Sequence, residues 1–275
     1  MKRYNPIPRI VINLLVFFIV LAILVPIVWM YFGGFKTDTI LFSSPWAMPQ
    51  SFSFRNFVVA WNFCIGGNIL NSIIYTVIGT AITVLLSSFA AFATVRFSFC
   101  LKAQYFVFII SGMMVASQSA LIPIYKLLMS IHLYNTRIGL ILPYVAYRIP
   151  FSFFLLWTYF SVLPIDVEES AYLEGAKIHQ IFFKIVFPMS KAALITAIIE
   201  SSRYIWNDFA FALVFTEDPS LKNIPLGLFA LRSTTHTNWT VLLAGLGLSA
   251  VPMIVVYLSL QKYFINDVNA GSVKG

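Results

Sequence analysis

Long stretches without any charged residue limit the possible folds of this chain more than any other feature. No residue between Arg55 and Arg96 carries a formal charge, and none does between Lys102 and Lys126. Of the 275 residues, 60% are hydrophobic and only 10% are charged. A soluble domain carries charge on roughly a quarter of its residues. The composition therefore excludes a soluble globular protein, a disordered chain and a secreted disulfide scaffold, and it predicts that lipid is the main solvent.

Six apolar stretches are each long enough for a transmembrane helix, which needs about 20 residues to cross the hydrocarbon core of a bilayer. We therefore predict an all-α integral membrane protein with six spans. The first stretch could instead be a cleaved signal peptide, but its apolar run is longer than usual for one and no small-x-small cleavage site follows. The predicted spans are residues 10–32, 68–95, 105–128, 138–160, 192–215 and 239–265.

The basic residues favour a topology with both termini in the cytoplasm. Cytoplasmic segments of membrane proteins carry the excess of Lys and Arg. Of the 18 such residues, ten fall in the segments or span ends placed inside, six fall outside and two lie within spans. We expect a multi-pass membrane protein with both termini on the cytoplasmic side. The predicted segments are an N-terminal arm (1–9), outer loops (33–67 and 216–238), a cytoplasmic loop (161–191) and a cytoplasmic tail (266–275).

The charge distribution also limits partners and chemistry. The formal net charge is +8, but the basic residues occur singly between apolar runs and form no basic face of the kind that binds nucleic acid. Cys64 and Cys100 lack metal-site spacing and fall on opposite sides in the predicted topology, so no disulfide is expected. No metal site, catalytic group or bound cofactor is predicted for this chain.

Small side chains recur on one face of the second and sixth predicted spans. Because small residues let membrane helices approach closely, we expect tight helix packing at these faces rather than solute binding. The residues are Thr80, Thr83, Ser87, Ala90 and Ala91 in the second span, and Ala244, Gly245, Gly247, Ser249 and Ala250 in the sixth.

The most informative segment is the predicted cytoplasmic loop, where four of the ten carboxylates fall within nine residues. Asp166, Glu168 and Glu169 follow Pro164, so a helix beginning there would have acidic side chains in its first turn, where the helix dipole favours them. Gly175 is expected to break this helix, and the apolar residues after it recur at helical spacing. The loop is therefore predicted to form a helix, a glycine corner and a second helix.

This spacing resembles the EAA loop of ABC-importer permeases, whose pattern is E-A-A-x(3)-G-x(9)-I-x-L-P. Ser170 stands for the first alanine, Phe187 for leucine, and Glu174 for the aspartate that usually precedes the glycine. The similarity extends over nearly the whole chain. Residues 206–209 and 261–264 look like those of the second permease subunit of maltose, glycerol-phosphate and multiple-sugar importers. The loop residues implied in ATPase coupling are Glu169, Ser170, Ala171, Glu174, Gly175, Ile185 and Pro188.

The resemblance implies the type I ABC importer permease fold and a translocation subunit without catalytic activity. The corner around Gly175 would dock in a groove of a cytoplasmic ATPase, and Glu169 would face a basic or hydroxyl group there. Glycine is expected at the corner because a side chain would clash. The implied partners are a second, homologous permease subunit, two ABC ATPase subunits that use ATP, an extracellular solute-binding protein and the lipid bilayer.

Each long outer loop leaves two interpretations open. The loop at 33–67 is rich in proline and aromatic residues, which fits either a cap at the headgroup level or a docking surface. The loop at 216–238 is either a connector or, as the resemblance implies, a contact for the solute-binding protein.

Polar residues of the fifth span are candidates for the transport pathway, because ionisable groups in a membrane are costly and usually face the bundle interior. At about 100° per residue, they are expected to share one face of the helix. Structural roles are favoured, since Glu200 and Arg203 could neutralise each other and Asn207 with Asp208 could brace the helix. The candidates are Glu200, Arg203, Tyr204, Asn207 and Asp208, with Arg148 of the fourth span, which could instead pair with the partner subunit.

Two alternatives to a sugar importer remain open from the sequence. A proton-coupled carrier could use Glu200 and Asp208, although the chain shows none of the internal repeats common in such carriers. An ABC permease for another solute would carry the same loop. A membrane enzyme is disfavoured because neither GxSxG nor HExxH occurs, and the lack of GxxxxGK[ST] places ATP hydrolysis in a separate subunit.

Overall fold

The computed structural model of the chain describes residues 7–232 and 237–271. Every regular element in these ranges is helical, which confirms the all-α prediction. Residues 1–6 of the predicted arm and 272–275 of the predicted tail lie outside the described residues. In chain order the α-helices are α1 (Ile7–Gly34), α2 (Asp38–Ser43), α3 (Arg55–Ala60), α4 (Ile69–Arg96), α5 (Lys102–Ser111), α6 (Ser117–Ser130), α7 (Arg137–Ser161), α8 (Asp166–Leu173), α9 (Ile178–Ile181), α10 (Phe187–Met189), α11 (Lys191–Trp206), α12 (Ala210–Phe215), α13 (Ile224–Phe229) and α14 (Trp239–Gly271).

Four of these helices, α1, α4, α7 and α14, are long and apolar enough to cross a membrane unaided. Two further segments qualify only as bent pairs of helices. The pair Lys102–Met114 and Ser117–Ser130 is bent by 105°, and the pair Ile178–Met189 and Lys191–Trp206 by 79°. The described residues therefore hold four candidate spans, or six if each bent pair is one span. The boundaries of the six spans stay predictions.

The third predicted span is not a single straight helix. After α5 the chain makes a 3₁₀ turn at Gly112–Met114, and Val115 and Ala116 have extended backbone before α6 begins. Gly112 approaches Pro150 of α7 so closely that a Cβ atom at this glycine would come within 2.8 Å of the proline Cγ. The bend therefore lies where the chain packs against the middle of α7.

The described residues divide into two compact units. The first unit consists of the described residues within Met1–Gly67 and Gly227–Val251. The second consists of those within Asn68–Leu226 and Pro252–Gly275. The boundary within α14 falls at Pro252, where a proline inside a helix removes one backbone hydrogen bond.

In the first unit, the aromatic residues of the outer loop pack on one another. The ring of Phe35 lies 5.4 Å, 5.3 Å and 4.7 Å from the rings of Phe52, Phe54 and Phe57, measured between centroids. The side-chain amide of Asn56 donates to two backbone carbonyls at 2.9 Å and 2.8 Å. The aromatic side chains of this loop thus serve its own packing.

The small residues of α14 pack closely within the first unit, as predicted. Ala244 is fully buried. A Cβ atom at Gly247 would come within 2.9 Å of the Tyr31 ring, and the Tyr31 hydroxyl donates to the Gly247 carbonyl at 3.0 Å. The prediction of a tight helix contact at these two positions is confirmed.

In the second unit, α4 packs along α7 and α11. Thr80, Thr83, Ser87 and Ala91 are buried on the packed face, which confirms the prediction made for the small residues of this helix. The Ser87 hydroxyl donates to the carbonyl of Ile149 in α7 at 3.3 Å. Small side chains here allow the close approach through which membrane helices gain van der Waals contact.

Two apolar clusters lie in the second unit. One is formed mainly by α4, α7, α11 and the segment around α9, and its largest side chains are Phe92, Phe153, Phe160 and Phe182. The other joins α7 to α11 and α12 around Tyr75, Tyr144, Phe211 and Phe215. The candidate site residues lie beside these clusters.

Candidate functional site

The segment predicted to be the cytoplasmic loop, residues 161–191, is here called the corner loop. Its first helix, α8, has Asp166, Glu168 and Glu169 in its first turn, as predicted. Only one side chain of α8 is buried, that of Glu168 (4% exposed), and Ala171 is half-buried against the apolar cluster of α4, α7 and α11. The remaining side chains, including Glu169 and Ser170, face outward, and the Ser170 hydroxyl donates to the Asp166 carbonyl at 2.8 Å.

Gly175 turns the chain directly after α8, but not for the predicted reason. Its φ is +85°, in the left-handed region, and a Cβ atom there would meet nothing within 4 Å. The expected clash is therefore wrong. Glycine is favoured at this corner because a side chain makes this backbone conformation costly. Glu174 precedes the turn and is exposed.

The second half of the corner loop holds the corner against the bundle. Phe182 is buried, and its ring lies 5.0 Å from that of Phe89 and 5.1 Å from that of Phe92, both in α4. Ile185 is half-buried on the same cluster, whereas Pro188 is exposed within α10. Ile185 thus contributes packing, and Pro188 lies within the last short helix of the loop.

An ion pair ties the corner loop to α4. The Arg96 Nε lies 2.9 Å and 3.0 Å from the two carboxylate oxygens of Glu168, and its Nη2 lies 2.6 Å from Oε1. The two side chains are 12% and 6% exposed. Sequence reasoning missed this pair because the residues are 72 positions apart and no local pattern joins them. In the sequence, Arg96 marks only the end of a charge-free stretch.

The fifth predicted span departs from a continuous helix. α11 ends at Trp206, and α12 begins at Ala210. The expectation that Asn207 and Asp208 share a helical face with Glu200 and Arg203 is therefore wrong. The cause is local hydrogen bonding, since the Asn207 amide donates to the Arg203 carbonyl at 2.8 Å and the Asp208 carboxylate accepts from the first backbone N–H groups of the next helix.

Asp208 lies at the centre of a hydrogen-bond network. Its Oδ2 accepts from the Tyr144 hydroxyl at 2.8 Å and from the backbone N–H of Ala212 at 3.2 Å. The Asn223 side-chain amide donates to the Asp208 carbonyl at 2.6 Å. This arrangement supports the bracing role considered for Asp208, whose carboxylate accepts from N–H groups in the first turn of α12.

Glu200 and Arg203 form the ion pair that their spacing allowed. Arg203 Nη2 lies 2.8 Å from Glu200 Oε2, and the side chains are 59% and 34% exposed for Arg203 and Glu200 respectively. The pair therefore lies at the surface of the described chain. Tyr204, on the next position of α11, is half-buried.

Arg148 is placed differently from the other candidates. Its guanidinium lies 4.9 Å from the centroid of the Phe151 ring and 5.2 Å from that of Tyr204. Two of its nitrogens, Nε and Nη2, are buried without a hydrogen-bond partner among the described residues. The buried hydroxyls of Thr76, Thr80, Thr83 and Tyr147 also lack such a partner there. These atoms on α4 and α7 are donors that the described chain leaves unused.

The start of the outer loop after α12 is fixed by side chains. The Tyr134 hydroxyl donates to Glu217 at 2.9 Å, and the Asn135 side-chain carbonyl accepts from the backbone N–H groups of Glu217 and Asp218. Burial, with Glu217 adding to it, raises the pKa of Tyr134 to about 12. Hydrogen bonds from Ser220 lower the pKa of Asp218. Both groups thus keep their ordinary charge at neutral pH.

Comparison with known proteins places the chain in a family. Residues 83–269 match the model of the binding-protein-dependent transport system inner membrane component. YurM of Bacillus subtilis (strain 168), named as an ABC transporter permease protein, is 42% identical over 259 residues, which are 94% of this chain and 86% of YurM. The chain belongs to this permease family.

Other relatives of the permease agree with this membership. The melibiose/raffinose/stachyose import permease protein MelC of Bacillus subtilis (strain 168) is 31% identical over 236 residues, covering 85% of the permease and 86% of MelC. A chain in the crystal structure of a bacterial ABC transporter involved in import of the acidic polysaccharide alginate superposes with a TM-score of 0.80. That match covers 96% of the permease and 99% of the other chain at 23% identity, and it confirms the ABC importer permease fold.

We predict that the hydrogen bond between Tyr144 and Asp208 stabilises the folded permease. Tyr144→Phe should lower the free energy of unfolding by about 1–3 kcal/mol, because it removes a donor from a partly buried carboxylate. Thermal unfolding of the permease in detergent measures the change. The matched control is Tyr257→Phe, since Tyr257 is 55% exposed. Equal melting temperatures for the two variants would contradict the bracing role.

Proposed function

We propose that the permease is the membrane-spanning subunit of an ATP-driven ABC importer that takes up a sugar or oligosaccharide. The observation that carries this proposal is the corner loop, which presents an exposed, acidic helix end and a left-handed glycine turn on an apolar base. Family membership gives the transport role, and the corner loop supplies a surface on which an ATPase could act.

The ATPase contact is assigned to the outward face of the corner. Glu169 and Glu174 are exposed carboxylates on either side of the last turn of α8, and Leu173 between them is 91% exposed. A helix end with an apolar tip flanked by carboxylates suits a groove with basic walls. Ser170 is exposed on this face as well. Ala171 and Ile185 pack on the apolar cluster and Pro188 lies in α10, so these three support the shape of the loop rather than the contact.

Two ATPase subunits, each docked on one permease subunit, would move the corners when they close on ATP. The permease and its homologous partner subunit would then alternate between inward-open and outward-open packings of the same helices. This chain binds no cofactor in the proposal, and it catalyses no reaction, because the ATP is bound and hydrolysed by the partner ATPases.

The sugar class is proposed from the relatives. The names of MelC and of the diacetylchitobiose permease NgcG, which is 30% identical over 92% of this chain, refer to oligosaccharide uptake. An extracellular solute-binding protein would deliver the sugar to the outer side, where the loop after α12 is held in place by Tyr134 and Asn135.

The transport pathway is assigned to the polar groups of α7 and α11. Arg148, with two unused nitrogens beside the Tyr204 ring, can donate to sugar hydroxyls or to a partner chain. Glu200 and Arg203 are partly exposed and can contact a solute or the second permease subunit. Asn207 and Asp208 hold the break after α11 and would shape the pathway rather than bind the sugar.

The proposed location is a bacterial plasma membrane, with both termini and the corner loop in the cytoplasm. In this orientation Lys177, Lys184 and Lys191 of the corner loop add to the cytoplasmic excess of basic residues.

A proton-coupled carrier is not favoured. Such a carrier needs a carboxylate that is free to take up and release a proton in the membrane. Glu200 is paired with Arg203, and Asp208 accepts hydrogen bonds from Tyr144 and from the start of α12. The two carboxylates suggested for that role therefore already have structural partners.

The proposal is tested by co-purifying the permease with its partner permease and ATPase and reconstituting the complex in liposomes with the solute-binding protein. We expect sugar uptake that requires ATP and all four kinds of subunit, within a panel of raffinose, maltotriose, diacetylchitobiose and alginate oligosaccharides. Liposomes with the permease alone should accumulate none of them. Uptake by the permease alone, driven by a pH gradient, would contradict the proposal.

We also predict that ATPase binding depends on the left-handed backbone turn at Gly175. Gly175→Val should weaken ATPase binding to the permease by about tenfold, because a non-glycine residue in the left-handed region costs about 1–2 kcal/mol and a β-branched one is the least tolerated. Gly175→Asn should bind almost normally, since asparagine tolerates this region and nothing lies within 4 Å of the new Cβ. Titration of the ATPase onto the reconstituted permease measures both. Equal binding by the two variants would refute the role assigned to the backbone turn.

A further inference from the structure

We propose that Arg96 and Glu168 form a rigid joint through which the corner loop moves α4, so that both act as positioning residues for transport. This inference rests on the proposed function, because it assumes that an ATPase acts on the corner loop. It adds a specific route by which that action reaches a membrane-spanning helix.

The geometry of the pair is that of a fixed joint. The guanidinium makes three contacts of 2.6–3.0 Å with both carboxylate oxygens, and the side chains are almost enclosed. A bidentate pair between Arg and a carboxylate sets the angle as well as the distance between two elements. Screening by salt is weak for a pair that water barely reaches.

α8 also lies against α9 and residues 182–186, but few of its own side chains can hold its orientation. Glu168 is its only buried side chain, and Ala171 offers a single methyl group to the apolar cluster. The other side chains of α8, such as Val167 and Tyr172, are exposed. An apolar contact through one methyl group has no directional preference, so it would allow α8 to slide or rotate. The ion pair between Arg96 and Glu168 would prevent both movements.

The joint connects three parts of the second unit. Arg96 is the last residue of α4, and its Nη2 also lies 3.4 Å from the carbonyl of Leu163, in the link between α7 and α8. The guanidinium therefore binds the end of α4 to the corner where α7 leads into α8. Because α4 is an unbroken helix of 28 residues, a displacement of Arg96 is carried towards its other end.

The test follows the far end of α4 in the reconstituted complex with partner permease and ATPase. A bimane label is attached at Leu70→Cys in a Cys100→Ser background, where Cys64 is buried and Leu70 is 62% exposed. The probe is Mg-ATP with vanadate, which traps the closed ATPase. The variants compared are Arg96→Met, which keeps the apolar stem, Glu168→Gln, and the exchanged pair Arg96→Glu with Glu168→Arg.

We expect the label response to ATP and vanadate to fall by about tenfold in each single variant and to recover in the exchanged pair. ATPase binding should be retained, because the exposed tip of α8 keeps all its side chains and the ATPase groove can itself orient the helix once it is seated. The matched control is Lys102→Met, which removes a positive charge from the first residue of α5, six positions after Arg96, and should leave the response unchanged.

Several outcomes would contradict the role proposed for Arg96 and Glu168. A full response in Arg96→Met and Glu168→Gln shows that α4 follows the loop without the pair. Loss of ATPase binding in the single variants shows that the pair shapes the docking surface instead. No recovery in the exchanged pair shows that the two residues act separately. If the unmodified permease fails to bind any ATPase, the proposed function itself fails.

Discussion

A bilayer offers the backbone no water to bond with, and the architecture of this permease depends on that constraint. Every N–H and C=O group inside the hydrocarbon must find a partner within the protein, so the spanning segments are helices. Two polar side chains of α4 follow the same rule. Ser88 and Thr94 of α4 donate to the carbonyls of Val84 and Ala90 one turn earlier, which satisfies their hydroxyls without a second helix.

Where a helix breaks, side chains form the hydrogen bonds to backbone groups that the helix would otherwise supply. After α11 the carboxylate of Asp208 accepts from the first N–H groups of α12, and Asn223 donates to the freed Asp208 carbonyl. The break is thereby tied to the outer loop. The Asp208 carboxylate thus replaces backbone hydrogen bonds that are lost where the helix breaks. This role explains why one of the ten carboxylates of the chain lies at this position.

The helix α4 connects the two polar ends of the second unit. Near its first turn, the Asn71 amide donates to the carbonyls of Ser220 and Lys222 in the outer loop at 2.6 Å and 3.1 Å. At its last residue, Arg96 holds Glu168 of the corner loop. Between these ends its small face packs along α7. One helix thus bonds to both the loop assigned to the ATPase and a loop assigned to the outer side.

The sequence predicted the features that depend on local patterns. Apolar length predicted the spanning helices, acidic residues after Pro164 predicted α8, and the spacing around Gly175 predicted the corner. Features that depend on distant partners were not predictable. Arg96 and Glu168 meet only in the fold, and the break at Asp208 depends on Tyr144 and Asn223 as much as on its own position.

The cause of the glycine at the corner was also beyond the sequence, because a clash and a left-handed backbone both call for glycine. The left-handed φ of Gly175 and the empty space around a Cβ atom there decide between them.

We propose that the exposed tip of α8 is seated in an ATPase. A photoreactive amino acid at Leu173 tests it directly, because this residue is 91% exposed at the tip. Irradiation of the assembled transporter should cross-link the permease to the ATPase from Leu173 and not from Phe18, which is 62% exposed on α1. A cross-link from Phe18 and none from Leu173 would contradict the account.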